Sequence, residues 1–562
     1  MNYQEKYIHS ITQKEAFWKE QADEIAWFKK SEAILSQDEN GLYQWYKGSK
    51  LNTAYLALDH HVKTGKGDKI AIIYDSPATN YQQKYTYSQL RDEVAKLAGG
   101  LQKKGIARGD TVVIYMPMIP QAVMAMLACA RLGTVHSVVF GGFAPNELAI
   151  RIDDAQPKAI ISASCGIEFD KVIPYKPLID AAIELANHKP DFCVIFQRPQ
   201  AIATMIEGRD LDFLELQTNA QPAECVEVDA TDPLYILYTS GTTGKPKGIV
   251  RDNGGHAVAM NYSIFFTAPT AFRAIRKEDP EALLMKKYDL SSLKSIFVAG
   301  ERCDPSTLKW LQEISQLPVI DHWWQTESGW GIVANMMGLE YFPVKEGSAT
   351  KPVCGFEIKI LDEAGQQLGA NQEGYVCVKL PLPPGCLKTL WKDDFQFQAS
   401  YLNTFEGYYL SGDGGYIDED GYVYIMGRID DVINVAGHRL STGAMEEILA
   451  SHSAVAECAV VGIADELKGQ RPVGFVVLKD GQTIDEKTLE SETITLIKQK
   501  IGSFSSYNST ILVKRLPKTR SGKILRKIIR QIADRTPFTI PSTIDDPLIL
   551  TEIEGFLRAR NI

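Results

Sequence analysis

The chain has 562 residues, 45% of them apolar and 23% charged, ordinary values for a protein long enough to bury a large core in several domains. Its net charge of −10 argues against a nucleic-acid partner, whose binding surface would be basic. Nine cysteines without a C-x-x-C pair fit a reducing compartment and form no recognisable zinc motif.

The opening MNYQEKYIHSITQKEAFWKE carries Glu5, Glu15 and Glu20 and no apolar stretch, so it reads as neither a secretory signal nor a transit peptide. No apolar run approaches the roughly 18 residues of a membrane span. A cytoplasmic protein with no membrane partner is expected. Between residues 70 and 240 the runs IAIIY, TVVIYM, SVVF, AIISA, CVIF and LYILY predict buried strands alternating with amphipathic helices. Thr86 and Gln89 predict a capping box, and Leu90, Val94, Leu97, Ala98 and Leu101 then share one helical face until Gly105. This alternation predicts parallel sheet with helices on its faces, and ligands beyond the carboxyl ends of its strands.

YTSGTTGKPKG (Tyr238–Gly248) stands at such an end, after the run LYIL. Its glycines let main-chain N–H groups approach an anion, its hydroxyls add donors and its lysines add charge, which together suit a phosphate. It does not fit the G-x-x-x-x-G-K-[ST] loop, because Gly244-Lys245 is followed by proline. A plain turn is the alternative. Further on, DHWWQTESGW (Asp321–Trp330) sets an aromatic wall beside Gln325, Thr326 and Glu327. It reads either as core or as a ligand pocket in which Glu327 holds Mg²⁺ against phosphate oxygens. Residues 350–426 predict a β-rich part with strands EIKIL, YVCVKL and YVYIMG. Asp413 in SGDGG reads as a turn residue or as a carboxylate for ribose hydroxyls. A boundary near Gly427–Asp431 divides the chain into units 1–429 and 430–562, the second a small α+β domain. The basic LPKTRSGKILRK (Leu516–Lys527) reads as a solvated face, or as a turn at Gly522 that delivers Lys523 to a phosphate.

Taken in order, YTSGTTGKPKG, DHWWQTE, SGDGG, GRIDDVINVAGHRL and PKTRSGK resemble the adenylate-forming acyl-CoA synthetases over nearly the whole chain. FWKEQADEIAWFKK, VVFGGF and GHRLSTGAMEE are similar to the short-chain acetyl-/propionyl-CoA synthetase branch. FTAPTAFRAI, SCGIE, YKPLID and PSTIDDP resemble propionate–CoA ligase. The resemblance implies an α/β fold: a large N-terminal domain of mixed and parallel sheets with a β-rich part, and a small mobile C-terminal α+β domain. It implies ligation of a short-chain carboxylate, propionate before acetate, to CoA through acyl-AMP, with ATP and CoA as substrates and Mg²⁺ as cofactor.

By motif, the resemblance implies that Thr239, Ser240, Gly241, Thr242, Thr243, Gly244, Lys245 and Lys247 hold the β- and γ-phosphates. Gly300, Glu301, Arg302, Asp321, His322, Trp323, Trp324, Gln325 and Thr326 would surround adenine and the acyl-phosphate, with Glu327 on Mg²⁺. Asp413 would hold the ribose, Arg428 the ribose or phosphate, and Arg439 the phosphate side. Lys523 would serve adenylation, and lysine-acetylating and deacetylating enzymes acting on it would be partners. Asp430 would be the hinge. Lys171, Ala436, Gly437 and Lys498 would meet CoA, Ala436 standing where a serine is usual and both lysines where arginines are. Trp324 would floor the acyl pocket, and a structural cation would sit near Ala450, His452 and Val455. One departure is large. Ile264 runs directly into Phe265, where the family carries several dozen residues, leaving none of the roughly 2–6 loop residues such a junction needs. The chain as written is therefore expected to be poorly soluble or nearly inactive, and its uninterrupted form a propionate-type ligase. A nucleotide-binding relic and an adenylating enzyme with a non-CoA acceptor stand as alternatives.

Overall fold

The computed structural model describes residues 2–168, 171–239, 246–260, 272, 275–276, 279–291, 293–300, 303, 305–431, 433–435, 438–440, 442–479, 481–502, 505–519, 522–538, 540–541 and 544–560. β1 (Ile70–Ser76) pairs antiparallel with β2 (Tyr81–Thr86) and stands apart from the main sheet. IAIIY is therefore not a core strand. Its partner YQQKYT is largely polar; Ala71, Ile72, Tyr74 and Tyr85 pack against the cluster that also takes up residues of the helix Tyr87–Lys103, while the other face is bare, with Ile73 66% exposed.

The main sheet contains β3 (Thr111–Met116), β4 (Val135–Phe140), β5 (Ala159–Ala163), β6 (Phe192–Phe196), β7 (Asp210–Asp212), β8 (Pro233–Thr239) and β9 (Lys247–Asp252). Its order is β7-β6-β5-β3-β4-β8-β9, with Thr389–Leu390 outside β9. β7 through β8 in that order are mutually parallel, and β9 turns back antiparallel on β8. Side chains alternate across a strand, so Val112 and Ile114 join one apolar cluster while Val113 and Tyr115 join the other. With both faces covered, β3 is buried along its whole length, as parallel sheets require. Helix α1 (Tyr87–Lys103) packs Leu90, Val94, Leu97 and Leu101 on the first face. Thr86 Oγ1 accepts from Gln89 N–H at 3.2 Å and Gln89 Oε1 accepts from Thr86 N–H at 2.9 Å, which is the expected capping box. Truncating the buried Leu97 to alanine would cost about 2–5 kcal/mol.

A second, antiparallel sheet holds β10 (Ile358–Leu361), β11 (Gly374–Lys379), β12 (Tyr408–Ile417) and β13 (Val423–Arg428) in that order. Asp413 lies inside β12, paired with Arg428 of β13, rather than in a turn. The SGDGG glycines serve close approach instead: a Cβ on Gly415 would collide with the Tyr424 carbonyl, and the register shifts at Gly414/Gly415. Beyond residue 432, β14 (Val455–Asp465) and β15 (Gly469–Leu478) are the long strands of a five-stranded sheet packed with helices. Its two buried clusters draw only on residues 433–557, so this α+β part has its own core.

Candidate active site

The carboxyl ends of β4 and β8, the segment after Val319–Asp321 and the facing surface of the C-terminal part enclose a cleft of about 2880 Å³. Thr239, Gly300, Asp321, His322, Trp323, Trp324, Gln325, Thr326, Glu327, Asp413, Arg428 and Lys523 all line it. Residues separated by up to some 280 positions are thus brought to one place.

Asp413, 7% exposed, is the centre of the polar network. Its Oδ2 accepts from Gln325 Nε2 at 2.6 Å and from Trp323 Nε1 at 3.1 Å, and Arg428 Nη1 stands 3.6 Å from Oδ1. Burial raises its pKa above the ordinary value, while Arg428, the two hydrogen bonds and the charge of Lys523 pull it back. Lys523 thus exerts its charge on Asp413 from the C-terminal part. It sits in a turn in which Thr519 Oγ1 accepts from Lys523 N–H at 3.0 Å and Gly522 takes φ +88°.

The Gln325–Gly329 turn is held on every side. Gln325 Oε1 accepts from Tyr409 Oη at 3.0 Å, and Glu327 O accepts from Leu387 N–H at 2.7 Å. Beneath the turn lies Arg251, 1% exposed, which donates from Nη2 to the Thr326 carbonyl. Gly329 is needed there, since its φ is +76° and a Cβ would stand 2.6 Å from Arg251 Nε. Glu327 Oε1 accepts from Tyr401 Oη at 2.9 Å. Among the described residues no three metal-ligating side chains converge. A cation here would have one carboxylate and the substrate's phosphate oxygens, a donor set that suits Mg²⁺. Burial lowers the pKa of His322 to about 4, so its ring is neutral at pH 7.

Of the loop expected to hold phosphates, Ser240, Gly241, Thr242, Thr243, Gly244 and Lys245 lie outside the described residues, as do Glu301, Arg302, Ala436 and Gly437 and the side chains of Asp430 and Arg439. Lys247 is described: its Nζ donates to Ser400 Oγ at 3.0 Å. Lys171 and Lys498 are exposed and are not among the lining residues. Ala450 and Val455 border the cleft. The His452 ring has Nε2 2.7 Å from Glu492 Oε2 and Nδ1 accepting from Ala454 N–H. Tyr401, Tyr409, Ser400 and Arg251 carry no motif and were not signalled by the sequence.

A family model described as "AMP-binding enzyme" matches residues 58–263 and 255–386, its C-terminal domain matches 444–523, and "Acetyl-coenzyme A synthetase N-terminus" matches 3–57. The chain belongs to the AMP-binding enzymes. Within them it falls in the acyl-CoA synthetase branch. It is 44% identical to the human "Acyl-CoA synthetase short-chain family member 3, mitochondrial", over 99% of this chain and 91% of that one. It is 38% identical to the Escherichia coli K12 "Propionate--CoA ligase", over 98% and 99%. The acetoacetyl-CoA synthetase of Streptomyces lividans superposes with a TM-score of 0.85 at 22% identity, covering 99% of this chain and 94% of that one, which shows the same fold. As an AMP-binding enzyme the chain is unusual in one respect. The family match breaks into two pieces at residue 263, and the human alignment runs over 624 positions against 562 residues here, so at least 62 positions face nothing. The junction at Ile264/Phe265 lies outside the described residues. Among the described residues no helix is long and apolar enough to cross a membrane.

Proposed function

We propose that this AMP-binding enzyme ligates a short-chain carboxylate, propionate before acetate, to CoA in two half-reactions. A carboxylate oxygen bonds to the α-phosphorus of ATP as the bond to the β-phosphate oxygen breaks, releasing pyrophosphate. The CoA thiolate then bonds to the acyl carbon and AMP leaves with the former carboxylate oxygen. The observation that carries this reading is that Lys523 of the C-terminal part lines the same cleft as Asp413 and Glu327.

Asp413 and Arg428 hold the ribose, and the loop from Thr239 to Lys247 holds the outer phosphates. Lys523 supplies positive charge at the α-phosphate and acyl oxygens, where charge develops in the transition state. Mg²⁺ held by Glu327 would offset charge on the departing pyrophosphate. The Trp324 indole closes the acyl pocket against longer chains, since extra methylenes must find volume in a packed site. The units 1–429 and 430–562 turn about Asp430 after adenylation, bringing Ala436-Gly437, Lys498 and, on the larger unit, Lys171 to CoA. Acetylation of Lys523 would remove its charge and silence the first half-reaction. The name of the E. coli relative supports propionate. ATP–pyrophosphate exchange across formate, acetate, propionate and butyrate tests the reading. Exchange greatest with propionate, followed by CoA-dependent thioester formation, is expected. Exchange without thioester would assign another acceptor, and no exchange with any acid, even with the human relative's segment inserted at Ile264/Phe265, would overturn the reading.

A further inference from the structure

The end of helix α2 (Asp394–Tyr401) touches two groups that the mechanism needs at the triphosphate. Tyr401 Oη donates to Glu327 Oε1 at 2.9 Å, and the Lys247 ammonium lies 4.8 Å above the centre of the Tyr401 ring. Ser400, one residue earlier, accepts from Lys247 at 3.0 Å and is itself bonded by Gln396 at 2.7 Å. The Tyr401 ring is fixed from its other side by Tyr409, stacked at 5.5 Å and 11°, whose hydroxyl donates to Gln325. One aromatic ring therefore joins the β9 lysine, the Glu327 carboxylate and, through Tyr409 and Gln325, the Asp413 network.

We propose that Tyr401 is a positioning residue: its hydroxyl orients the Glu327 carboxylate toward the metal–triphosphate while its ring seats the Lys247 ammonium beside it. The proposal rests on the placement of MgATP described above. Three physical points support it. A carboxylate bonded through Oε1 to a rigid phenol has its rotation fixed, leaving Oε2 oriented for a cation, and outer partners of this kind typically govern metal affinity by 10- to 100-fold. A phenol carries its proton at pH 7 and points it at the carboxylate, so the Tyr401 hydroxyl is a donor to Glu327. A cation over the face of a ring is attracted by it, so a ring held in a stack keeps the Lys247 ammonium in place beside Glu327.

The test separates hydroxyl from ring. Tyr401→Phe removes the bond to Glu327 and keeps the ring; Tyr401→Leu removes both. Uptake of Mn²⁺–ATP by the full chain, followed by the enhancement of water-proton relaxation over Mn²⁺–ATP alone, reads the metal site without requiring turnover. ATP–pyrophosphate exchange and thermal unfolding are measured in parallel. Tyr401→Phe is expected to weaken Mn²⁺ binding about 10-fold, with KM for propionate within twofold and the unfolding temperature unchanged. Tyr401→Leu should in addition weaken metal-free ATP binding several-fold, through the lost seat of Lys247. Wild-type metal affinity in Tyr401→Phe would overturn the proposal. So would a uniform fall in every parameter together with the unfolding temperature, the mark of a merely structural residue. If the unaltered chain itself takes up no Mn²⁺ with ATP, the nucleotide reading of the cleft fails, and the Tyr401 role with it.

Discussion

Replacing Asp413 by asparagine separates binding from stability. The carboxylate is almost fully buried and its pKa is raised by that burial, so at pH 7 its charge costs the fold free energy. Asparagine removes that cost while its amide oxygen can still accept from Gln325 and Trp323. Unfolding stability should be unchanged or slightly higher. Nucleotide binding should suffer. Hydrogen bonds to a charged group are worth about 1.5–3 kcal/mol each, and the amide offers one acceptor where the carboxylate offers two. A loss of roughly 2–3 kcal/mol corresponds to about 30- to 150-fold in KM for ATP. Exchange assays with varied ATP at saturating propionate, alongside thermal unfolding, read both quantities. KM for ATP within twofold of the unaltered chain would refute ribose recognition. A large fall in stability would refute the electrostatic reasoning.

Acidification should weaken the fold. Burial lowers the pKa of His136 to about 3 and those of His256 and His322 to about 4, against an ordinary 6.5. The unfolded chain takes up these protons first, so stability present above pH 6.5 is lost as pH falls toward 4, at about 1.4 kcal/mol per unit for each histidine. Asp252, raised from 3.8 to about 6 by burial, works the other way between those values. A net loss of roughly 4–5 kcal/mol from pH 6.5 to 5 follows; equal denaturation midpoints at the two pH values would contradict it. Lys523→Ala should abolish acyl-AMP formation yet leave thioester synthesis from supplied propionyl-AMP nearly intact, and equal loss of both would assign it another role. Just past the junction, Leu283 and Leu284 are each 57% exposed and Tyr288 73%. Light scattering should find the chain self-associating, because such apolar surface is rarely left bare. Inserting the human relative's segment should disperse it and raise exchange on the order of 10²-fold, as a misplaced acyl group costs about that much; no change on insertion would mean the pocket is already complete.

Local chemistry made much of this legible beforehand. TVVIYM, SVVF, AIISA and CVIF are continuous apolar runs because parallel strands are covered on both faces, and the Thr86/Gln89 box needs only four residues. Thr239, the segment after Asp321 and Lys523 reach one cleft for a similar reason, since each lies at a strand end or turn that the sequence marks. IAIIY misled because an apolar run does not say whether a second layer covers it. Asp413 misled because glycines that usually make turns here let two strands approach. Tyr401 meets Glu327 across 74 residues and Arg251 meets Thr326 across 75, with no spacing that encodes either contact.

The most direct test of the central claim follows the carboxylate oxygen. Propionate labelled with ¹⁸O in both carboxylate positions is incubated with the chain, ATP, Mg²⁺ and CoA, and the AMP is examined by mass spectrometry. Attack on the α-phosphorus followed by thioester formation leaves one ¹⁸O in each AMP and the other in propionyl-CoA. Unlabelled AMP, or label in inorganic phosphate, would contradict the acyl-adenylate route.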